Sequence, residues 1–207
     1  MPRIKIARKS TFIDMTAMCD VAFLLLTFFI LTATARLPEP LPVDTPASTV
    51  KIKLPDTDIA TITVGQGKVF FGIPNKDIRR LLLEKMSKVY GIEFTPEEYK
   101  RFTILESFGV PIGNLKQIIA LSGDERNQPG LQTGIPIDSA GLQPSELHQW
   151  IIQSRYAVKE LHKVDMRVSI KGDAKEKYPE IKKIIGILQD QNINRFSLIT
   201  SLRAEEK

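Results

Sequence analysis

The chain has 207 residues, 43% of them hydrophobic, and a formal net charge of +5. That is enough for one domain of ordinary size with a sizeable core. The positive charge does not point to nucleic acid: Arg3, Lys5, Arg8 and Lys9 supply +4, and everything after Arg36 carries only +2.

Residues 1–11 form a short basic tail ahead of an apolar stretch, Phe12 to Ala35, that holds one acid deep inside it, Asp20. Val21 to Ala35 is a fifteen-residue run. At roughly 1.5 Å per residue it reaches about 22 Å, short of a hydrocarbon core of about 30 Å. Arg36 and Pro38 block extension towards the C-terminus, so a spanning helix grows backwards and takes Asp20 into the membrane. The predicted transmembrane helix covers 12–36. A carboxylate in hydrocarbon is costly, and such a residue is a functional candidate.

At about 100° per residue, Thr16, Asp20, Thr27 and Thr34 fall within a sector of roughly 40°. They make one polar stripe, and Val21, Leu25, Phe28 and Thr32 lie opposite. Asp14 stands off the stripe, as an early-turn acid. The basic tail places the N-terminus in the cytoplasm and the bulk of the chain across the membrane. The same residues also match a cleaved secretory leader: a basic start, a core from Val21 to Leu31, and Ala33-Thr34-Ala35 as the cleavage site. Asp14 and Asp20 argue against it, since a leader has no need of acids there. Cys19 is the only cysteine, so no intramolecular disulfide forms.

Residues 37–57 read as an extended linker, with Pro38, Pro40, Pro42, Pro46 and Pro55. Within it Val50-Lys51-Ile52-Lys53-Leu54-Pro55 alternates apolar and basic residues and ends on proline. Val50, Ile52, Leu54 and Pro55 are therefore expected to form a strand that adds to a sheet edge, of a partner or of the chain's own domain. The domain itself spans 58–207. Thr61 to Val64 and Lys68 to Phe71 flank Gly65-Gln66-Gly67, which predicts a β-hairpin.

Next comes a helical and loop block over about 75–140 that carries its own caps. Asn75 caps a helix with Ile78, Leu81, Leu82 and Met86 inward and Gly91 at its end. Thr95-Pro96-Glu97-Glu98 is a capping box, and Asn114 caps Leu115 to Leu121. Asp124 to Gly141 reads as loop. Ser145 caps a helix to about Leu161, packing Leu147, Ile151, Tyr156 and Val158. A strand over Val164 to Ile170, an amphipathic helix over Lys177 to Gln189 and a strand over Phe196 to Ile199 follow. They form a βαβ unit if the strands are parallel. The fold class is α+β.

The soluble part shows no chemistry of its own. His148 and His162 lie fourteen apart on one predicted helix, about 21 Å in rise, too far to share a metal. No nucleophile elbow, phosphate loop or metal-ligand spacing is present, so no cofactor, no metal and no enzyme activity is expected.

Asp14-Met15-Thr16-Ala17-Met18-Cys19-Asp20-Val21, followed by an apolar helix, resembles the D-x-T-P-x-x-D-V opening of the ExbD and TolR transport proteins, with Ala17 at the usual proline. Ile52-Lys53-Leu54-Pro55 is similar to the family's linker. Val168 to Asp173, Lys177-Tyr178 and Ser197 to Thr200 resemble its C-terminal strand, helix and strand. About 75–140 has no counterpart in the short family members, so the chain resembles a long variant with a helical insertion, expected to be an accessory module. The resemblance implies a subunit of a proton-driven motor in the inner membrane, with Asp20 the proton carrier and protons the coupling ion. It implies an ExbB-like channel subunit, a homodimeric periplasmic domain and a TonB-like transducer as partners. A TolR-like subunit that binds peptidoglycan and a secreted binding protein are the alternatives.

Overall fold

The computed structural model describes residues 15–33, 40–48, 57–128, 130–139, 144–176 and 178–202. It divides into two compact units, Met1–Pro38 and Glu39–Lys207. The first contributes one helix, α1, Met15–Thr32, with no buried residue. Its 18 residues span about 27 Å.

The second unit is an α+β domain. A short strand β1, Ala47–Ser48, precedes the hairpin of β2, Ile59–Gly65, and β3, Lys68–Gly72. The helices α2, Lys76–Tyr90, and α3, Pro96–Phe102, come next, then a two-residue strand β4, Ser107–Phe108. After a 3-10 turn at Ile112–Asn114 come α4, Leu115–Ala120, α5, Gly123–Arg126, and the long α6, Glu146–His162. The chain closes with β5, Arg167–Gly172, α7, Tyr178–Asp190, β6, Phe196–Ile199, and β7, Ser201–Leu202.

Five strands form one sheet in the order β4-β3-β2-β5-β6. The hairpin is antiparallel with Thr63 opposite Phe70, and its turn sits at Gln66 and Gly67, with φ of 55° and 68°. Two successive left-handed residues match the right-handed twist of paired strands, the reason such turns favour glycine. The expected unit of strand, helix and strand is present: β5 and β6 pair in parallel, Val168 opposite Phe196, with α7 between them in sequence. β2 also pairs in parallel with β5, Thr61 opposite Ser169, where the two hydroxyl oxygens lie 3.1 Å apart.

Helix ends follow local chemistry. The Asn75 side chain accepts from Asp77 N and Ile78 N, and Gly91 closes α2 in the left-handed region. Thr95 and Glu98 form the reciprocal capping box of α3. Ser145 accepts from His148 N to start α6. Three expectations fail here. Asn114 makes no side-chain cap and instead ends the 3-10 turn. Tyr156 is 53% exposed, because α6 turns Leu147, Ile151, Ser154 and Val158 inward. The stretch from Asp124 is not all loop, since Ser122 and Glu125 build a capping box for α5.

Residues 75–140 are part of the core rather than a module beside it. Ile78, Leu82, Leu83 and Met86 of α2, Phe102 of α3 and Phe108 of β4 join Ile62, Phe71, Trp150 and Ile170 in one buried cluster. Phe108 meets Trp150 edge-on at 4.7 Å between centroids, and Phe102 lies 5.4 Å from Phe108. Ile135 N also donates to Val69 O at 2.8 Å, tying the 130–137 loop to β3.

Of the stretch read as linker, residues 40–48 lie against this domain. Leu41 is 6% exposed, Ala174 N donates to Asp44 O at 2.8 Å, and β1 pairs in parallel with β7. The expected strand of Val50, Ile52, Leu54 and Pro55 lies outside the described residues.

Candidate functional site

α1 is built from long apolar side chains, and Asp20 is the only charged residue on it. Asp20 and Thr16 are exposed, and Thr27 stands half-buried on the same sector. Asp14 and Thr34, the other predicted members of this region, lie outside the described residues. Thr27 Oγ1 donates to Leu24 O at 2.9 Å and Thr32 Oγ1 to Phe28 O at 2.7 Å. A threonine hydroxyl in an apolar helix takes this back-bond because no water competes for it. Thr27 therefore presents its oxygen lone pairs, not its proton, to whatever faces the stripe.

The soluble domain gathers no second site from the predicted residues. His162 Nδ1 pairs with Asp58 Oδ1, fastening the end of α6 to the start of β2. His148 stands at the other end of α6, its Nδ1 buried without a hydrogen-bond partner. Among the described residues no three His, Cys, Asp or Glu side chains come together to hold a metal.

Two ionisable groups that sequence reasoning passed over are structural. Glu146 Oε1 accepts from Ile112 N at 2.7 Å and from Trp150 Nε1 at 3.2 Å. Burial pushes its carboxyl above the usual carboxylate range against the pull of those two bonds. Arg79 is 3% exposed, and Nη2 donates to Pro74 O at 3.3 Å while Nε and Nη1 have no partner. Burial lowers its proton affinity and the charge of Glu106 partly restores it. A Glu placed four residues before Trp150, on one helix face, was the signal available for the first. Arg79 sits among Ile78, Leu82 and Leu83 on α2, and the apolar neighbours give no sign of it.

The family of biopolymer transport proteins ExbD/TolR has a model that matches residues 7–203. No curated protein and no solved structure matches the chain. The matched region starts ahead of α1, the one described helix long and apolar enough to cross a membrane. The helix is thus part of the family's fold, as expected of a single-pass membrane protein in a transport complex. With its apolar helix, its α+β domain and a match over nearly its whole length, the chain belongs to the ExbD/TolR family.

Proposed function

We propose that this chain is an ExbD-type subunit of an inner-membrane motor that uses the proton motive force to energise a TonB-like transducer. The observation that carries the reading is Asp20, the single charge on an apolar helix in a member of this family. In the proposed cycle the Asp20 carboxyl takes a proton on one side of an ExbB-like channel and releases it on the other. A charge crossing 100 mV gains about 2.3 kcal/mol and each pH unit adds about 1.4 kcal/mol, so work on a partner needs several protons. Thr16, Thr27 and Thr34 support the acid from the same stripe.

The basic tail orients the N-terminus to the cytoplasm and the domain to the periplasm. Dimerisation of that domain is supported by β6, an outer strand of the sheet, whose Leu198 is exposed. The segment 50–55 is read as the strand that engages an edge of this kind. Asp20→Asn tests the reading, because the amide keeps the size and polarity of a neutral acid but releases no proton. Assembly with the channel subunit should survive and energy-dependent uptake should be lost; near-normal uptake would leave Asp20 a helix-pairing residue. Co-sedimentation with purified peptidoglycan sacculi separates the TolR-type role, which retains the chain on the sacculi, from the ExbD-type role.

A further inference from the structure

One flank of α7 is apolar and uncovered. Tyr178, Ile181 and Ile185 fall within a sector of about 60° on this helix. Tyr178 is 70% exposed, and Ile181 and Ile185 are half-buried. The other flank is taken. Lys183 pairs with Asp138 at 3.1 Å, and just past the helix Gln191 Nε2 donates to His148 O, near the start of α6, at 2.9 Å. The Tyr178 flank therefore points away from α6, towards the side of the outer strand β6.

Strand register places an exposed leucine beside that flank. Leu198 of β6 lies opposite Ile170 of β5, so both project on the face that carries the core, yet Ile170 is fully buried and Leu198 is 60% exposed. Ile181 Cδ1 stands 3.6 Å from where a Cβ on Gly172 would be. Because β5 and β6 run parallel, α7 returns antiparallel to both, and one turn on from Ile181 brings Ile185 to the level of Ile170 and Leu198. Tyr178, Ile181, Ile185 and Leu198 thus form one apolar strip. Lys182 borders it on α7 and Lys175 precedes it, both exposed and, among the described residues, without an ion-pair partner. No acid lies on that flank of α7.

We propose that this strip rests on the anionic headgroups of the bilayer that α1 crosses. Aliphatic side chains and a tyrosine bordered by lysines are what an interfacial surface presents to lipid: the apolar groups enter the headgroup boundary and the cations meet phosphate. Chain length keeps the strip near such a surface. Residues 34–39 alone separate Ala33 from Pro40, a reach of about 25 Å when fully extended. From there Leu41 is buried, and Asp44 O accepts at 2.8 Å from the N of Ala174, four residues before Tyr178. A second copy of the chain fits less well, because two such flanks face each other with lysines and no acids. The contact uses side chains above the sheet and leaves the backbone edge of β6 to strand pairing. It rests on the membrane anchor and not on the role of Asp20.

The test uses the full chain in nanodiscs of phosphatidylcholine, with or without phosphatidylglycerol, and a headgroup nitroxide lipid as quencher. Cys19, the only cysteine, carries a fluorophore in the parent and reports the anchor. Cys19→Ser with Leu198→Cys moves the fluorophore to the strip, and Cys19→Ser with Glu97→Cys moves it to an exposed site on α3. In phosphatidylglycerol discs the Leu198 probe should be quenched and the Glu97 probe should not, and the difference should shrink in phosphatidylcholine alone or at high salt. Lys182→Gln should lower the ratio of docked to undocked chain about fivefold, the weight of one cation at an anionic surface. Tyr178→Ser, at a site too exposed to unfold the domain, should also weaken the quenching. A Leu198 probe no more quenched than the Glu97 probe overturns the proposal. So does a Leu198 probe shielded equally in both lipids and more so at higher chain density, the mark of a second copy. Absent quenching at Cys19 would fault the anchor and the strip together, whereas quenching at Cys19 alone faults only the strip.

Discussion

Half-buried Glu146 and buried Arg79 show what single charges away from water do to this domain. The carboxyl of Glu146 is raised by burial, so the folded state favours its protonated form. An acid raised in this way adds stability below its unfolded value, near pH 4.3, and that contribution is lost as pH rises through the higher folded value. Both of its hydrogen bonds go to Oε1, an atom that glutamine also has. Glu146→Gln is therefore expected to raise the unfolding midpoint at pH 7 to 8 and to converge with the parent near pH 3. Urea titrations at both pH values read the difference, and a variant weaker than the parent at pH 8 would show that ionised Glu146 holds Ile112 in place. Arg79 poses the opposite question, since Nε and Nη1 are buried without partners. Arg79→Met keeps the volume and removes the charge, and is expected within about 1 kcal/mol of the parent or above it. Arg79→Ala leaves a void as well and should fall about 2 to 3 kcal/mol below the Met variant.

At the scale of elements, local chemistry specified what local chemistry can. The hairpin was legible because Gly65-Gln66-Gly67 interrupts two alternating runs, and three helix starts were legible because Asn75, Thr95 and Ser145 stand where an open N–H needs an acceptor. The Ser122 to Glu125 box had the same signature but was hidden by the glycine and aspartate between them, which read as loop. Tyr156 was misplaced by one step of the helical period: it lies about 140° around α6 from Ile151. The parallel pairing of β2 with β5 joins residues 108 apart, and β4 is two residues long, so neither leaves a local pattern. For the same reason the 75–140 segment looked separable. Replacing it with a short Gly-Ser loop removes Leu82, Met86, Phe102 and Phe108 from the core and is expected to abolish cooperative unfolding of the domain, as read by near-ultraviolet dichroism. The described part of the linker makes its own prediction. A Cβ on Gly65 would stand 2.7 Å from Val43 Cγ1 and 3.4 Å from Leu41 Cδ2. Gly65→Val should displace residues 41–44 and speed proteolysis there, with β2 and β5 still protected from hydrogen exchange; unchanged cleavage would mean that the segment does not rest on Gly65.

For the whole molecule, Asp20 was legible in the sequence because a charge inside an apolar run is costly wherever the run ends. The bond from Arg101 Nη1 to Ala120 O was not, since it forms only when α3 folds onto the end of α4. Orientation rests on charge alone. Arg3, Lys5, Arg8 and Lys9 precede the helix, and only Arg36 follows it closely on the other side before a proline-rich stretch. Short flanking segments of this kind set topology through their lysines and arginines, while acids contribute little. Protease added outside spheroplasts should then digest the chain beyond Arg36 and leave a small fragment containing α1. Replacing the four N-terminal cations with glutamine should lower the fraction digested, because Arg36 then outweighs the N-terminal side. A domain protected from protease in the parent chain would reverse the orientation and with it the direction in which Asp20 is proposed to pass protons.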